Sequence, residues 1–267
     1  MTTAVPTMNR LLRLFRKLEI FAPLAHEERE ALDQLTTSVR RLPAHTHLIQ
    51  EGTPPDGMKV ILDGIAYRYK MLPDGRRQIV GYLIPGDFCD LRAYLLRRMD
   101  HSIATFGTVQ AALLQPEAVQ KILDRYPRLL RALWWSTLVD EAVTREWLLN
   151  VGHRTAFERL AHLFCEIFAR MEAVGLTQHN RCELALTQTE LADTLALSAV
   201  HVNRTLMDMR RSNLISFQGR QLILHDRKEL ESLAGFNPSY LHLEPMSPRG
   251  TEEVAVRRFD RATLNPE

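Results

Sequence analysis

Asn203 and Arg204, side by side in the run Ala199-Val-His-Val-Asn-Arg204, carry side chains suited to hydrogen bonding with the edges of nucleic-acid bases. A guanidinium fork matches guanine O6 and N7, a carboxamide matches adenine N6 and N7, and a small apolar group such as Val200 can press on a thymine methyl. His201 and the hydroxyls of Thr187 and Ser198 suit the backbone around such bases. At helical spacing Val200, His201, Asn203 and Arg204 share one face, while Val202, Leu206 and Met209 recur at i, i+4 and i+7 on the other.

These residues need a scaffold that holds one helix proud of the surface. Thr187 and Glu190 form a Thr-x-x-Glu capping box, so a helix is expected to begin at Gln188. Leu191, Thr194 and Leu195 would face inward, with small Ala192 allowing close approach of a second helix. Ala196-Leu197 makes the turn, and Ser198 caps the helix that carries the base-reading face. An ordinary amphipathic helix pair has the same periodicity. What separates the two readings is Leu214 to Phe217, a Gln218-Gly-Arg220 turn, then Leu222 to Leu224: a short hairpin directly after the second helix, the wing of a winged helix-turn-helix. Arg220, at the wing turn, joins Thr187, Ser198, Ala199, Val200, His201, Asn203 and Arg204 as the candidate DNA-contacting set.

The stretch LTQTELADTLALSAVHVNRTL, followed by RRSNLISFQGRQLIL, resembles the DNA-binding end of the Crp/Fnr superfamily of bacterial transcription regulators. The resemblance covers roughly residues 8 to 234. It implies an α+β architecture: an antiparallel β-roll of the cyclic-nucleotide-binding kind over 8–126, a long dimerisation helix over 127–153 and a winged helix-turn-helix over 154–234. Residues 235–267, rich in Pro, Arg, Glu and Asn with few large apolar groups, read as a mobile tail. It also implies a cytoplasmic homodimer reading double-stranded DNA at a pseudo-palindromic operator, with RNA polymerase as a partner if the protein activates. No catalytic residue and no membrane are expected.

The pattern along the chain agrees with that division. Residues 8 to 18 alternate apolar and basic positions as an amphipathic helix packed on the body would, and His26 to Leu35 reads as a second helix. From Ser38 to about Leu114, short apolar runs separated by Gly and Pro indicate strands of a small barrel or jelly roll, with Gly52, Gly64, Gly75 and Gly86 at turns. Pro116 and Pro127 open two helices. The second, running to about Val151, has an apolar band through Leu130, Leu133, Trp134, Leu138, Ala142 and Leu148, too wide for one contact. Gly152-His153 should break it, a second capping box at Thr155 and Glu158 should start the next, and the hinge should fall at 152–155. Asp226 to Ala234 reads as a short helix.

Bulk properties limit the alternatives. With 267 residues, 45% hydrophobic, the chain can bury a sizeable core and hold two domains. A net charge of +2 is too small to announce nucleic-acid binding, and Glu190, Asp193 and Asp208 offset Arg204, Arg210 and Arg211, so the DNA reading rests on motif geometry. Arg131 and Asp140 interrupt the richest apolar stretch, and the N-terminal residues lack the order of a secretory signal. Cys89, Cys165 and Cys182 are scattered, so neither disulfides nor an iron–sulfur cluster is expected, and no cofactor. The oxygen-sensing Fnr branch, by contrast, carries a cysteine cluster.

The resemblance also indicates where an effector would sit. Cyclic-nucleotide-binding members carry Gly-Glu-Leu, then Arg-Ser about ten residues on; here the stretches are Cys89-Asp90-Leu91 and His101-Ser102. Asp90 and Ser102 match in kind, whereas His101 replaces the arginine and Cys89 the glycine. Thr144 falls at the family's base-contacting threonine, and Arg145 replaces the serine beside it. The effector candidates are therefore Asp90, His101, Ser102, Thr144 and Arg145. An imidazole lacks the charged fork that grips a phosphate, so cyclic AMP is not expected to bind in the usual way, unless Arg97 or Arg98 compensates; a pocket closed by side chains is the other reading. In the recognition helix, Val200 occupies the position of a cytosine-reading glutamate and Ala199 precedes it, so thymine is expected over cytosine there, with guanine kept opposite Arg204.

One constellation belongs to a different class. His45-Thr-His47 followed by Glu51 has the His-x-His-x3-Glu spacing of metal-binding cupins, which would make the chain a metal-dependent enzyme with an appended DNA-binding module. Pro85-Gly-Asp-Phe88 supplies no second-motif histidine and His101 comes too late. Surface histidines before a turn, and no metal site, are the preferred reading.

Overall fold

The computed structural model of the protein describes residues 11–91 and 95–244. Helices α1 (Leu12–Phe21) and α2 (His26–Gln34) lead into strands β1 (Thr36–Leu42), β2 (His47–Ile49), β3 (Met58–Asp63), β4 (Ala66–Met71), β5 (Arg77–Leu83), β6 (Ser102–Thr105) and β7 (Val109–Leu114). They form two antiparallel sheets, ordered β1-β7-β3 and β2-β6-β4-β5. Leu48, Ile61, Leu83, Ile103 and Val109 are buried together as the filling of this roll. The alternation of the strands explains that arrangement: successive side chains point to opposite faces, so each strand contributes every second residue to the inside. The Pro85-Gly86 turn shows why a glycine is needed. Gly86 has φ +97°, and a Cβ there would lie 2.8 Å from the Arg13 carbonyl oxygen, so the turn can press against the backbone of α1.

On the outer face of the three-stranded sheet, Leu14, Phe15 and Leu18 of α1 pack with Leu32 of α2, Met58, Val60 and Leu114, and with helices α3 (Pro116–Arg125) and α4 (Pro127–His153). The apolar face of α1 is thus spent inside the protein. The start of α1 expected at residues 8 to 10 lies outside the described residues.

Helix α4 is apolar on two sides. Val139, Val143 and Trp147 are buried, whereas Trp134, Leu138 and Leu148 are exposed at 53%, 59% and 72%. At 100° per residue those two sets occupy opposite sides of the helix. Gly152 does not end it. The helix runs through His153 and stops at Arg154, whose ψ of 147° leaves the helical region because Thr155 caps the next helix: its backbone and hydroxyl both engage the Glu158 carboxylate.

Helix α5 (Ala156–Ala173) is the axis of the C-terminal domain and is buried along most of its length, with Phe164 against Phe217 at 5.4 Å between ring centres. Burying such a ring contributes about 1.5–3 kcal/mol. Around it lie α6 (Gln188–Leu195), α7 (Ala199–Arg211), β10 (Ile215–Gln218), β11 (Gln221–Leu224) and α8 (Arg227–Ala234). The wing turn is narrower than expected: Gly219 and Arg220, both with positive φ, make a two-residue connection of the kind that follows the strand twist. Two strands absent from the sequence reading, β8 (Thr177–Gln178) and β9 (Arg181–Glu183), widen the wing into a four-stranded sheet ordered β10-β11-β9-β8.

The expected mobile tail is corrected in its first part. After Gly235, Phe236 is buried, residues Pro238–Leu241 form a 3-10 turn capped by Asn237, and Leu241 is 1% exposed, because aromatic and leucine side chains at 236, 240, 241 and 243 find apolar partners on α4 and α5. Residues 245–267 of that tail lie outside the described residues.

Candidate DNA interface and roll cavity

The helix-turn-helix is built from its caps inward. Thr187 Oγ1 accepts from Glu190 N at 3.2 Å, while Thr187 N donates to Glu190 Oε2 at 2.7 Å, which satisfies the first amides of α6. Ala196 ends that helix with φ 53°, and Ser198 Oγ accepts from His201 N at 3.2 Å to start α7. Val202, Leu206 and Met209 are buried against the domain, so the opposite face of α7 must look outward. Val200, at 80% exposure, His201, Asn203 and Arg204 all stand on it, with Ala199 exposed beside them. Thr187 and Ser198 are exposed as well, and Arg210 Nη2 donates to Phe217 O at 2.6 Å, locking the wing to α7.

Two features escape a sequence reading. Gln188 Nε2 donates to Asn203 Oδ1 at 3.3 Å, joining the start of α6 to the reading face. Arg220 Nη2 lies 3.2 Å from Glu183 Oε1, so the wing arginine shares its charge with a strand that no periodicity announced.

The reader is held against its own roll. Arg77 of β5 donates to Asp193 of α6, Gln78 Nε2 donates to Thr194 O at 3.1 Å, and the hydroxyls of Tyr82 and Thr194 meet at 2.5 Å in a buried site. From α5, Arg159 Nη1 reaches Leu195 O at 2.9 Å.

A cavity of about 320 Å³ opens between β4, β5, α4 and α5. Of the five effector candidates, His101 and Thr144 line it; Asp90, Ser102 and Arg145 do not. Ser102 is buried on β6, where its hydroxyl accepts from Glu51 N at 3.0 Å. Arg145, one residue beyond Thr144, is turned about 100° around the helix into solvent beside Glu141. The residues that do line the cavity include Arg68, Lys70, Asp140 and Arg170, which the sequence reading missed. The alternation Arg68-Tyr-Lys70 within a strand was the available signal for two of them; Arg170, on a helix far along the chain, had none. Their charges are already engaged. Arg68 donates to Phe88 O, Cys89 O and Asp140, and Lys70 to Glu51 and the Asp100 carbonyl. Thr144 Oγ1 donates to Asp140 O at 2.9 Å, and His101 Nδ1 lies 2.8 Å from Asp100 Oδ1, while His101 Nε2 is buried with no hydrogen-bond partner among the described residues.

Behind the cavity runs a buried ionic chain. Lys17 Nζ lies 2.6 Å and Arg170 Nη2 2.8 Å from the Asp87 carboxylate, and Arg170 also meets Glu166 at 3.2 Å. Burial alone would raise Asp87, but Lys17 and Arg170 hold its carboxyl below the ordinary value; Glu166, fully buried, is pushed above its own by desolvation despite Arg170, Trp147 and Tyr240. The thiols of Cys89, Cys165 and Cys182 are buried and each pushed up to about 12 by desolvation, which leaves them unreactive.

His45, His47 and Glu51 do not converge. His45 faces Glu190 at 4.0 Å, His47 faces the Tyr69 hydroxyl at 3.4 Å, and Glu51 pairs with Lys70; among the described residues no group of three His, Cys, Asp or Glu is placed to hold a metal. Nor, among the described residues, is any helix long and apolar enough to cross a membrane.

A roll of cyclic-nucleotide-binding type joined through a long helix to a winged helix-turn-helix defines a class of one-chain transcription regulators. Residues 39–126 match the cyclic nucleotide-binding domain family and 158–233 the Crp-like helix-turn-helix domain family. The transcriptional activator protein FnrL of Cereibacter sphaeroides is 30% identical over 78% of this chain and 85% of its own, and the transcriptional activatory protein AadR of Rhodopseudomonas palustris 28% identical over 82% and 90%. Among solved structures, FixK2 of Bradyrhizobium japonicum superposes with a TM-score of 0.67 at 23% identity, covering 75% of this chain and 98% of that one. The chain belongs to the Crp/Fnr family and is a DNA-binding transcription regulator. The cupin alternative falls with this: the relatives are regulators, not enzymes.

Proposed function

We propose that the protein is a homodimeric transcription activator in which two copies of α7 read the halves of a pseudo-palindromic operator. The observation that carries this is the outward face of α7, with Val200, His201, Asn203 and Arg204 exposed while Val202, Leu206 and Met209 anchor the helix. The second support is the exposed apolar side of α4 at Trp134, Leu138 and Leu148, which a second copy would cover isologously, placing the two readers about 34 Å apart. Arg204 reads guanine, and Thr187, Ser198, His201 and Arg220 hold the phosphate backbone, with Ala199 and Asn203 completing the contact surface. Activation, with RNA polymerase as partner, follows the relatives named activators, and such a protein works in the cytoplasm beside the chromosome. Selection of bound oligonucleotides tests this reading. The wild type should recover a two-fold symmetric site, and Arg204→Ala should cost about 1–3 kcal/mol and relax one base pair per half-site, whereas His201→Ala weakens all sequences alike. An unchanged preference in Arg204→Ala removes Arg204 as a base reader.

The roll cavity is proposed to serve a ligand other than cyclic AMP. A cyclic phosphate needs an uncommitted cationic fork, and Arg68, Lys70 and Arg170 are bonded to carbonyls and carboxylates of the protein. No iron–sulfur cluster or other cofactor is invoked. Calorimetric titration with cyclic AMP should show no micromolar binding; such binding accompanied by tighter DNA affinity overturns this part.

A further inference from the structure

Between the sensor and the reader, the covalent joint is short: α4 ends at His153 and α5 begins at Ala156. Such an elbow, tied locally by Arg154 to Glu146 and by Arg159 Nε to Arg154 O, fixes where the two helices meet but gives little leverage on the far end of the reader. Besides the contacts of Arg77, Gln78 and Tyr82 with α6, another tie exists well beyond it. At the end of α8 the chain turns through Gly235, with φ 55°, and returns from the reader to α4. Phe236 packs edge-on against His162 of α5, with ring centres 5.2 Å apart, and Tyr240 stacks over the same imidazole at 6.0 Å. Tyr240 Oη donates to Glu166 Oε2 at 2.8 Å, and Trp147 Nε1 of α4 donates to the same carboxylate at 3.0 Å. Glu166, with no exposed surface, is therefore the knot at which the dimer helix, the reader and the returning chain meet. Leu241 and Leu243 complete the contact beside Ile20, Trp135, Val139 and Val143. All of this lies on the side of α4 opposite Trp134, Leu138 and Leu148. The returning segment itself lies beyond residue 233, where the match to the helix-turn-helix family ends.

We propose that residues 235–243 are a positioning strap for DNA reading: by fastening each reader to α4 at Glu166, they fix the angle between the recognition helix and the dimer helix, and so set which half-site spacing the dimer accepts. The inference rests on the dimeric reading proposed above. A rigid reader pair is sensitive to spacing because one inserted base pair turns a half-site by about 35° around the DNA axis, and a loosened pair recovers the second contact at an entropic cost instead. Tyr240 and Leu241 touch no base in this scheme; they are positioning residues.

The test uses the full-length Tyr240→Phe/Leu241→Ala protein, Tyr240→Phe alone as a milder form, and a chain ending at Glu244 as the control that keeps the strap. Probes are duplexes carrying the half-sites selected by the wild type, at the selected spacing and with one or two base pairs added, and a duplex with one half-site. The wild type and the control should lose about tenfold or more in affinity on insertion of one base pair. The strap variants should lose much less while binding the single half-site as the wild type does, and amides of residues 152–156 should exchange hydrogen faster in them. A spacing profile and an elbow exchange that both stay at wild-type values overturn the strap, as does an equal loss of half-site affinity. If the wild type itself ignores spacing, the dimeric reading fails instead, and the exchange data still decide whether the segment restrains the elbow.

Discussion

Arg77 on β5 grips Asp193 on α6, Nε to Oδ2 at 2.8 Å and Nη2 to Oδ2 at 2.6 Å, and with its remaining nitrogen donates to the Tyr67 hydroxyl at 2.8 Å. One guanidinium thus joins the roll's aromatic core to the first helix of the helix-turn-helix. Both side chains are about three-quarters buried, which places the pair between a surface ion pair and a core one. Asp193→Asn should cost about 1 kcal/mol and Arg77→Ala more, since it also strips the Tyr67 contact. In a double-mutant cycle by chemical unfolding, the two should couple by about 1 kcal/mol; additive losses would show that the pair does not hold the domains together.

Trp134 and Leu148 give the second prediction. They sit in solvent in a single chain, so replacing them leaves the monomer core intact. Trp134→Glu/Leu148→Glu should yield a folded monomer by light scattering, one that binds a two-half-site operator far more weakly than the wild type does and a single half-site about as the wild type does. A dimer of unchanged mass at micromolar concentration assigns the interface elsewhere.

The third prediction concerns Val200, which stands exposed on the outward face of α7 and has no hydrogen-bonding group. Val200→Glu should shift one position of the selected half-site from thymine to cytosine, because a carboxylate accepts from the cytosine amine and loses the methyl contact. Identical selected sites for variant and wild type would place Val200 off the base edges.

His162 supplies a pH dependence. Its ring is 1% exposed, lies 3.3 Å from Glu146 without a hydrogen bond, and is held near a pKa of about 3 by burial and, secondarily, by Arg154. The folded state therefore prefers the neutral imidazole. That preference contributes fully above the ordinary value of about 6.5 and is lost as pH falls towards the folded value, about 2 kcal/mol between pH 6.5 and 5. Glu166 runs the other way: its raised carboxyl favours folding at low pH and loses that contribution as pH rises through the folded value. Comparing His162→Leu with the wild type isolates the histidine. Urea unfolding at pH 7 and 5 should show a smaller acid loss in the variant, and equal slopes with pH would mean that His162 is not the group responsible.

Much of the reader was legible in the primary structure. Thr187 with Glu190, Thr155 with Glu158, and Ser198 are local caps, satisfied within three residues of themselves, so their meaning does not depend on the rest of the chain. The inward Val202, Leu206 and Met209 and the outward Val200 and Arg204 follow from helical period alone. The cavity was legible only in part. His101 and Thr144 were identified through family resemblance, but Ser102 and Arg145 failed because a hydroxyl claimed by Glu51 N and a side chain one step around α4 cannot be foreseen from position.

What the amino-acid sequence determined by itself, then, is whatever is periodic or local: the capping boxes, the alternation of the strands, the two faces of α7, the apolar excess on α4. Only the tertiary structure decided which side of α4 is spent within the chain and which is left exposed, and that Arg68, Lys70, Asp140 and Arg170 share one cavity. It alone showed that a nominal tail returns to bury Tyr240 against Glu166, a carboxylate 74 residues away. The physical reason is common to all three: hydrogen bonds and ion pairs between distant segments become favourable only after the apolar core has excluded water around them, and the burial that makes them so is a property of the whole fold.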